Sequence, residues 1–410
     1  MSNFIYYAVA IGLLILVVGI SWQARRRSHA HYEDKMLRTL AEQGDAKAQH
    51  ILGAKYQKGH GVPQDNREAA RWYRQSADQG EAVAQFALAL LYERGEGVAR
   101  DDRERLKWLR EAAEQDHAEA QFTLARIYHA GQITPRDDQE ALKWLQQAAG
   151  RGHAVAQMHL GRMYHSGKSL AQDYAQAVHW FRRAAEQGNA MAQFELGAMY
   201  LEGKGVPQDQ QLAVSWFRRA AEQGNAKAQC NLGMLYHAGT GVIQSYPAAA
   251  QWCRMAAEQG DAKAQNLLGL MHQHGHGQPR DQQEAIRWYR LSAEQGNATA
   301  QFNLGVICEK GDGVEQSDQE AAAWYRRAAE QGESLAQFNL GVLYAKGRGV
   351  EQDPVRAWVW VTLAAAQDAS LAKFCEPIAR RMTPAQLAQA QEMVQGIAGP
   401  GGSPPWRVQG

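Results

Sequence analysis

The sequence predicts an all-α protein in which one transmembrane helix precedes an α-solenoid of about nine helix-turn-helix repeats, each 36 residues long. Two observations carry this. The first is an apolar run without charge, FIYYAVAIGLLILVVGISW, from Phe4 to Trp22. The second is periodicity: tryptophan recurs at Trp72, Trp108, Trp144, Trp180, Trp216, Trp252, Trp288, Trp324 and Trp360, each 36 residues after the last. Leucine keeps the same spacing from Leu52 to Leu340, and glycine from Gly59 to Gly347. Residue types in fixed phase at such a period mark a solenoid, in which each unit buries its apolar face on its neighbours. The 410 residues are therefore one unit repeated, not the roughly three domains that length alone suggests. The predicted divisions are an anchor with its basic flank (1–27), the solenoid (28–370), capping helices (371–398) and a tail (399–410).

The apolar run comes first. As a helix its nineteen residues span roughly 28 Å, enough to cross a hydrocarbon core. It is longer than the apolar part of a signal peptide and ends in Trp22 and Arg25–Arg27 rather than in small residues, so an uncleaved anchor is expected. All the flanking positive charge follows the run. That asymmetry places the amino terminus outside and the repeat body in the cytoplasm, a single-pass protein of the inner membrane. A periplasmic body is the alternative.

Within a repeat, Ala48, Leu52 and Tyr56 lie four apart on one face of the first helix, with Gly53 beside Leu52. Equivalent positions hold only Gly or Ala, as in Gly161, Gly197, Ala89 and Ala125, which predicts a close helix–helix approach that limits side-chain size. Gly59 ends the first helix as a left-handed cap, and Gly61 and Val62 carry the turn. The second helix starts at an Asp with Glu three residues later: Asp65 and Glu68, Asp101 and Glu104, Asp137 and Glu140, Asp281 and Glu284. Each pair reads as a capping box, so these carboxylates are structural. Trp72 follows on the buried face, and Gly80 hands the chain to the next unit. Beyond the last full repeat, Pro354–Gln367 reads as a second helix, and Thr383, Pro384 and Gln386 open another running to about Gln395. Gly399 to Gly410, rich in Gly and Pro, reads as a disordered tail.

The string AEQGNAKAQCNLGMLYHAGTGV from Ala221 to Val242, followed by Ala249 and Trp252, resembles the Sel-one-like repeat, a relative of the tetratricopeptide repeat. The resemblance implies a right-handed superhelix of paired antiparallel helices that scaffolds protein complexes, its concave side formed largely by first helices. Bacterial members of that family include virulence, polysaccharide-assembly and cell-polarity proteins, and many are exported. A cysteine-rich subgroup linked to penicillin binding carries a cysteine pair in each repeat. This chain has four cysteines, at Cys230, Cys253, Cys308 and Cys375, so that link does not transfer. They read as small apolar core residues.

Little in the sequence suggests catalysis. Lys+Arg 44 against Asp+Glu 43 leaves a net charge of +1, which gives no reason to expect nucleic-acid binding. GRMYHSGKS, from Gly161 to Ser169, has five residues between its glycines where a phosphate loop needs four, and both glycines are repeat positions. His272, His274 and His276 have the alternation of a metal cluster, but polar turn residues are the reading preferred. His129, His165 and His237 recur at a helix end that suits a protonated ring. Arg182 and Arg183, like Arg218 and Arg219, precede Glu186 and Glu222 by about one turn and read as solvated ion pairs. No cofactor, metal, catalytic residue or small-molecule substrate is predicted.

Repeat-constant residues hold the scaffold, so variable positions on the first helices are the candidates for recognition. These are Asn231, Asn303, Asn339, Glu195 and His159 just before the constant leucines, and Arg126 and Arg162 two residues after them. Asparagine amides can bond an extended peptide or the scaffold itself, and Phe194, Phe302 and Phe338 beside them read as core. The expected function is a non-enzymatic adaptor, tethered to the membrane, that binds protein partners. A periplasmic role in envelope assembly or virulence, and a hydrolase, are the alternatives.

Overall fold

The computed structural model describes residues 34–398. The predicted span at 4–22, its arginine flank and the tail lie outside them. Among the described residues all regular structure is helical, and no helix is long and apolar enough to cross a membrane. The helices group into two compact units, one ending at Gln187 and the other beginning at Gly188.

The first unit holds α1 (34–42), α2 (Ala46–Lys58), α3 (Asn66–Asp78), α4 (Ala82–Arg94), α5 (Asp102–Glu114), α6 (Ala118–Ala130), α7 (Asp138–Gly150), α8 (Ala154–Ser166) and α9 (Tyr174–Glu186). The second holds α10 (Ala190–Glu202), α11 (Gln210–Glu222), α12 (Ala226–Ala238), α13 (Tyr246–Glu258), α14 (Ala262–His274), α15 (Gln282–Glu294), α16 (Ala298–Lys310), α17 (Asp318–Ala329), α18 (Ser334–Lys346) and α19 (Pro354–Gln367), then a 3-10 turn, α20 (Cys375–Ala379) and α21 (Pro384–Ala398). In each unit, helices adjacent in sequence pack on one another.

Local chemistry sets the helix ends. First helices stop at glycines in the left-handed region, such as Gly59 at φ 70° and Gly203 at φ 69°, whose N–H groups donate to Lys55 and Met199 carbonyls. Second helices start where Asp65, Asp101 and Asp137 each accept from two first-turn amides. The reciprocal half of the predicted capping box does not form. The Asp65, Asp101 and Asp137 N–H groups donate instead to the Tyr56, Tyr92 and Tyr128 carbonyls. The glutamates are thereby released to other partners: Glu68 binds Arg71, Glu104 accepts from Trp108 Nε1 at 3.1 Å, and Glu140 binds Lys143.

The close approach inside each repeat is set by size. A Cβ at Gly161 would fall 2.6 Å from Phe181 Cδ1, and one at Gly269 would fall 2.8 Å from Tyr289 Cδ1. The partner stands twenty residues on in each case, an aromatic ring for Gly53, Gly161, Gly197, Gly269 and Gly305 but Cys253 for Gly233 and Val361 for Gly341. Where alanine replaces the glycine, at Ala89 and Ala125, that partner is the smaller Leu109 or Leu145, in the same buried cluster. The alternation of large against small is what fills the space at crystal-like density.

Each unit has a polar spine. Gln49, Gln85, Gln121, Gln157, Gln193, Gln229, Gln265, Gln301 and Gln337 are buried, one per repeat. Within the first unit, Gln85, Gln121 and Gln157 donate to the Ala77, Ala113 and Ala149 carbonyls near the end of the preceding second helix. The Oε1 atoms of Gln85 and Gln157 face a glutamine thirty residues on, Gln115 donating to Gln85 and Gln187 to Gln157 at 2.8 and 2.7 Å, whereas Gln121 has Arg151 at that position and its Oε1 is left without a partner. In the second unit Gln223, Gln259, Gln295, Gln331 and Gln367 make the same bond to Gln193, Gln229, Gln265, Gln301 and Gln337. Buried amides satisfied on both ends hold neighbouring repeats in register.

At the far end α21 packs on α19, with Ala390 fully buried and Met393, Val394 and Ile397 against the cluster around Trp360. Thr383 and Gln386 form a full capping box there, each side chain accepting the other's N–H.

Candidate functional site

In the first unit, the structure places Arg126 on α6 and His159 and Arg162 on α8, all exposed. Arg126 and His159 line one cavity of about 550 Å³. Phe122, Leu142, Leu145, Val155 and Met163 supply most of its wall, and His129 and Asp138 stand at its rim. Phe122 is held between two imidazoles, with ring centroids 4.5 Å from His153 and 5.9 Å from His159. His153 itself is fixed at both nitrogens: Nδ1 accepts from the Ala156 N–H that opens α8, and Nε2 meets Glu119 at 3.0 Å.

The charge of the cavity is one-sided. Asp138 is taken by Arg136 at 2.8 Å and by His129 at 3.0 Å, and these hold its carboxyl below the usual range, Arg136 most strongly. Glu119 is taken by His153. Arg126 has no carboxylate partner among the described residues. His159 lies below its ordinary pKa because of partial burial, reinforced by the positive charges of Arg162 and Arg126. The site thus combines apolar wall with a cationic mouth.

Met163 shows what opened it. Its apolar equivalents in seven other repeats, Leu91, Ile127, Met199, Leu235, Met271, Ile307 and Leu343, are all buried, whereas Met163 is only half-buried, as is Lys55 in the first repeat. Sequence reasoning found the charged residues at the mouth and missed the wall, because an apolar side chain that lines a cavity has the same periodicity as one in the core.

Of the candidates in the second unit, Asn303 donates to Asn266 Oδ1 at 3.1 Å, tying α16 to α14, and Asn339 lies beside the Tyr325 hydroxyl, which donates to Glu309 Oε2 at 2.8 Å. Asn231 on α12 and Glu195 on α10 are half-buried.

Of the three alternating histidines, His274 and His276 come together, with ring centroids 5.5 Å apart, and His272 does not join them. His272 is buried at the repeat tyrosine position with both ring nitrogens unpartnered, His274 is exposed, and His276 stacks on Tyr246 at 4.3 Å. Among the described residues no group of three or more His, Cys, Asp or Glu is placed to hold a metal. His237 meets His276 at 3.2 Å, and burial with that neighbour holds it below its usual pKa, against the protonated helix-end ring expected. The paired arginines also differ from expectation. Arg183 and Arg219 lie over the Trp180 and Trp216 rings at 5.3 and 4.7 Å, and Arg218 reaches the Tyr236 hydroxyl of the next repeat. An aromatic face one turn away competes well with a solvated carboxylate. Cys230, Cys253 and Cys308 are buried as expected, but Cys375 is half-exposed on α20.

Comparison with known proteins agrees with this architecture. The Sel1 repeat model matches nine consecutive segments, at 46–81, 82–117, 118–153, 154–189, 190–225, 226–261, 262–297, 298–333 and 334–368. The chain is similar to the crystal structure of c5321, described as a protective antigen present in uropathogenic Escherichia coli strains and displaying an SLR fold. Identity is 32%, over 88% of this chain and 93% of that one, with a TM-score of 0.59. A Sel1 repeat protein from Oxalobacter formigenes is 33% identical over 75% of this chain and 89% of its own, with a TM-score of 0.57. Comparison with curated proteins found no match. Nine matched units in unbroken succession establish that the chain belongs to the Sel1 repeat family.

Proposed function

We propose that the protein is a non-enzymatic, membrane-tethered scaffold that gathers protein partners on the face formed by its first helices. The observation that carries this reading is the division of labour within the repeat. Constant residues are consumed by caps, close packing and the glutamine spine, while the variable first-helix residues Arg126 and His159 border an open apolar cavity. Large apolar pockets with a few convergent polar groups are where ligands and partners seat.

The tether is the charge-free run 4–22. The three arginines after it favour a cytoplasmic body, and near anionic headgroups each adds about 1 kcal/mol. Tethering raises effective concentration, so modest affinity is enough for such a scaffold. A second reading puts the body in the periplasm for envelope assembly. It draws support from the protective-antigen description of the Escherichia coli relative.

Two measurements test the proposal. Phosphatase and fluorescent reporters fused after Arg27 and after Gly410 decide the side of the membrane: fluorescence alone supports the cytoplasmic body, phosphatase activity alone the periplasmic one. A photocrosslinking residue at Met234, the α12 equivalent of Arg126, should trap protein adducts in intact cells. The same residue at Gln147 on second helix α7 should not. Equal trapping at both positions removes the first-helix face from the proposal.

A further inference from the structure

We infer that the cavity between α6, α7 and α8 takes a partner-protein segment in which a bulky apolar side chain stands beside an Asp or Glu. This rests on the scaffold reading above and names the chemistry of one partner.

Three observations lead to it. The first is volume and lining. About 550 Å³ bounded by Phe122, Leu142, Leu145, Val155 and Met163 accommodates one or two large apolar side chains. Phe122 is stacked on His153 at 4.5 Å, with His159 at 5.9 Å, and these contacts favour its place in the wall over a place in the space. A wall fixed in advance costs little ordering when a side chain enters.

The second is charge. The nearby carboxylates Asp138 and Glu119 are already paired, with Arg136 and His129 in one case and His153 in the other. Arg126 keeps a guanidinium at the mouth with no carboxylate partner among the described residues, and its charge and that of Arg162 both reach His159. The complement of an apolar cavity with a cationic mouth is an apolar side chain with an adjacent carboxylate. Arginine is suited to bind such a carboxylate through two parallel N–H bonds.

The third is location. The repeat pattern departs from itself around this cavity. Imidazoles cap α6 and α8 where Asp, Asn or Glu opens the other first helices, and Met163, though packed against the core cluster, is less buried than its apolar equivalents. His153, one of those caps, is the residue that holds Phe122.

The test uses the full-length chain in lipid nanodiscs and fluorescein-labelled heptapeptides built on Gly and Ser around Asp-X-Asp, with X as Leu, Met, Phe or Trp. At least one should bind, and the Lys-X-Lys version should not. Arg126→Ala should weaken binding by at least about tenfold, as expected for a charge-assisted pair. Val155→Asp at the lip should abolish it, while Lys143→Ala on α7 should leave it unchanged. Equal binding of the Lys and Asp peptides, or indifference to Arg126→Ala, overturns the inference. So does failure of all four Asp peptides. Binding of dodecanoate without any peptide overturns it as well and makes the occupant a free acyl carboxylate. If the peptides fail while Met234 still traps partners, only this inference falls. If Met234 and the peptides both fail, the scaffold reading falls with it.

Discussion

Arg151, at the end of the third repeat, holds the carboxylate of Asp116, at the end of the second, at 2.5 Å. Neither residue is the repeat's usual one: glutamine stands at Arg151's position in the other repeats, and glycine at Asp116's in all but the last, which carries Asp368. Without a glutamine at 151, the buried Gln121 Oε1 has no partner, and Asp116 sits at φ 64°, in the left-handed region.

Restoring the repeat residues should stabilise the first unit. Arg151→Gln supplies the missing amide to Gln121, worth about 1 kcal/mol, and Asp116→Gly removes a left-handed penalty of similar size. The lost ion pair is exposed and worth little. Calorimetry should show a transition raised by about 2–4 °C for each kcal/mol gained. No rise with Arg151→Gln would mean that the orphaned oxygen costs the fold nothing.

Gly197→Leu should lower the melting temperature by several degrees, because a Cβ there already falls 2.9 Å from Phe217 Cδ1 and 3.2 Å from the Ala213 carbonyl oxygen. The sharper experiment is a cycle. Gly197→Ala and Phe217→Leu together copy the natural pairing of Ala89 with Leu109. The double variant should lose less than the sum of the singles by at least about 0.5 kcal/mol. Strict additivity would show that the two positions are not matched in size.

The protein should lose stability on mild acidification. His50, His117, His159, His237 and His272 all lie below the ordinary histidine value, with burial the largest cause in each case. The folded state therefore binds fewer protons than the unfolded chain. Stability is fully present above the unfolded value of about 6.5 and declines as pH falls through it toward the folded values. The unfolding midpoint in urea should fall between pH 7.5 and 5.5. His272→Tyr, which returns the repeat tyrosine, should make that slope shallower, and an unchanged slope would exonerate His272.

Thiol chemistry should be selective. Burial pushes Cys253 up to about 12 and Cys230 higher still, and Cys308 is raised by burial and by Glu320. A disulfide reagent should titrate one thiol in the native protein, lost in Cys375→Ser, and four in denaturant. A second reactive thiol in the native state would show that the core opens readily.

The fold was legible because the positions that define it repeat. Trp72 and its eight successors need no structure to be placed on one helix face. The glutamine spine repeats just as strictly, from Gln49 to Gln337, but a polar side chain carries no sign of burial until its amide partner thirty residues away is known. The site divides the same way. Arg126, His159 and Arg162 stood out as variable residues on first helices, while Leu145 and Met163 kept the core pattern and so hid the cavity they line. Asn303 and Asn339 have the chemistry of peptide binders, and only the structure shows that Asn266 and Tyr325 stand beside them.

The spine also limits how such a chain changes length. Each buried glutamine needs a carbonyl eight residues behind it and, in nearly every repeat, an amide thirty residues ahead. An insertion or deletion of one or a few residues between those points would strand a polar group in the interior. Duplication or loss of a whole 36-residue unit strands none. The gene for this protein is thus expected to grow and shrink in whole repeats, with the length of its binding surface quantised accordingly.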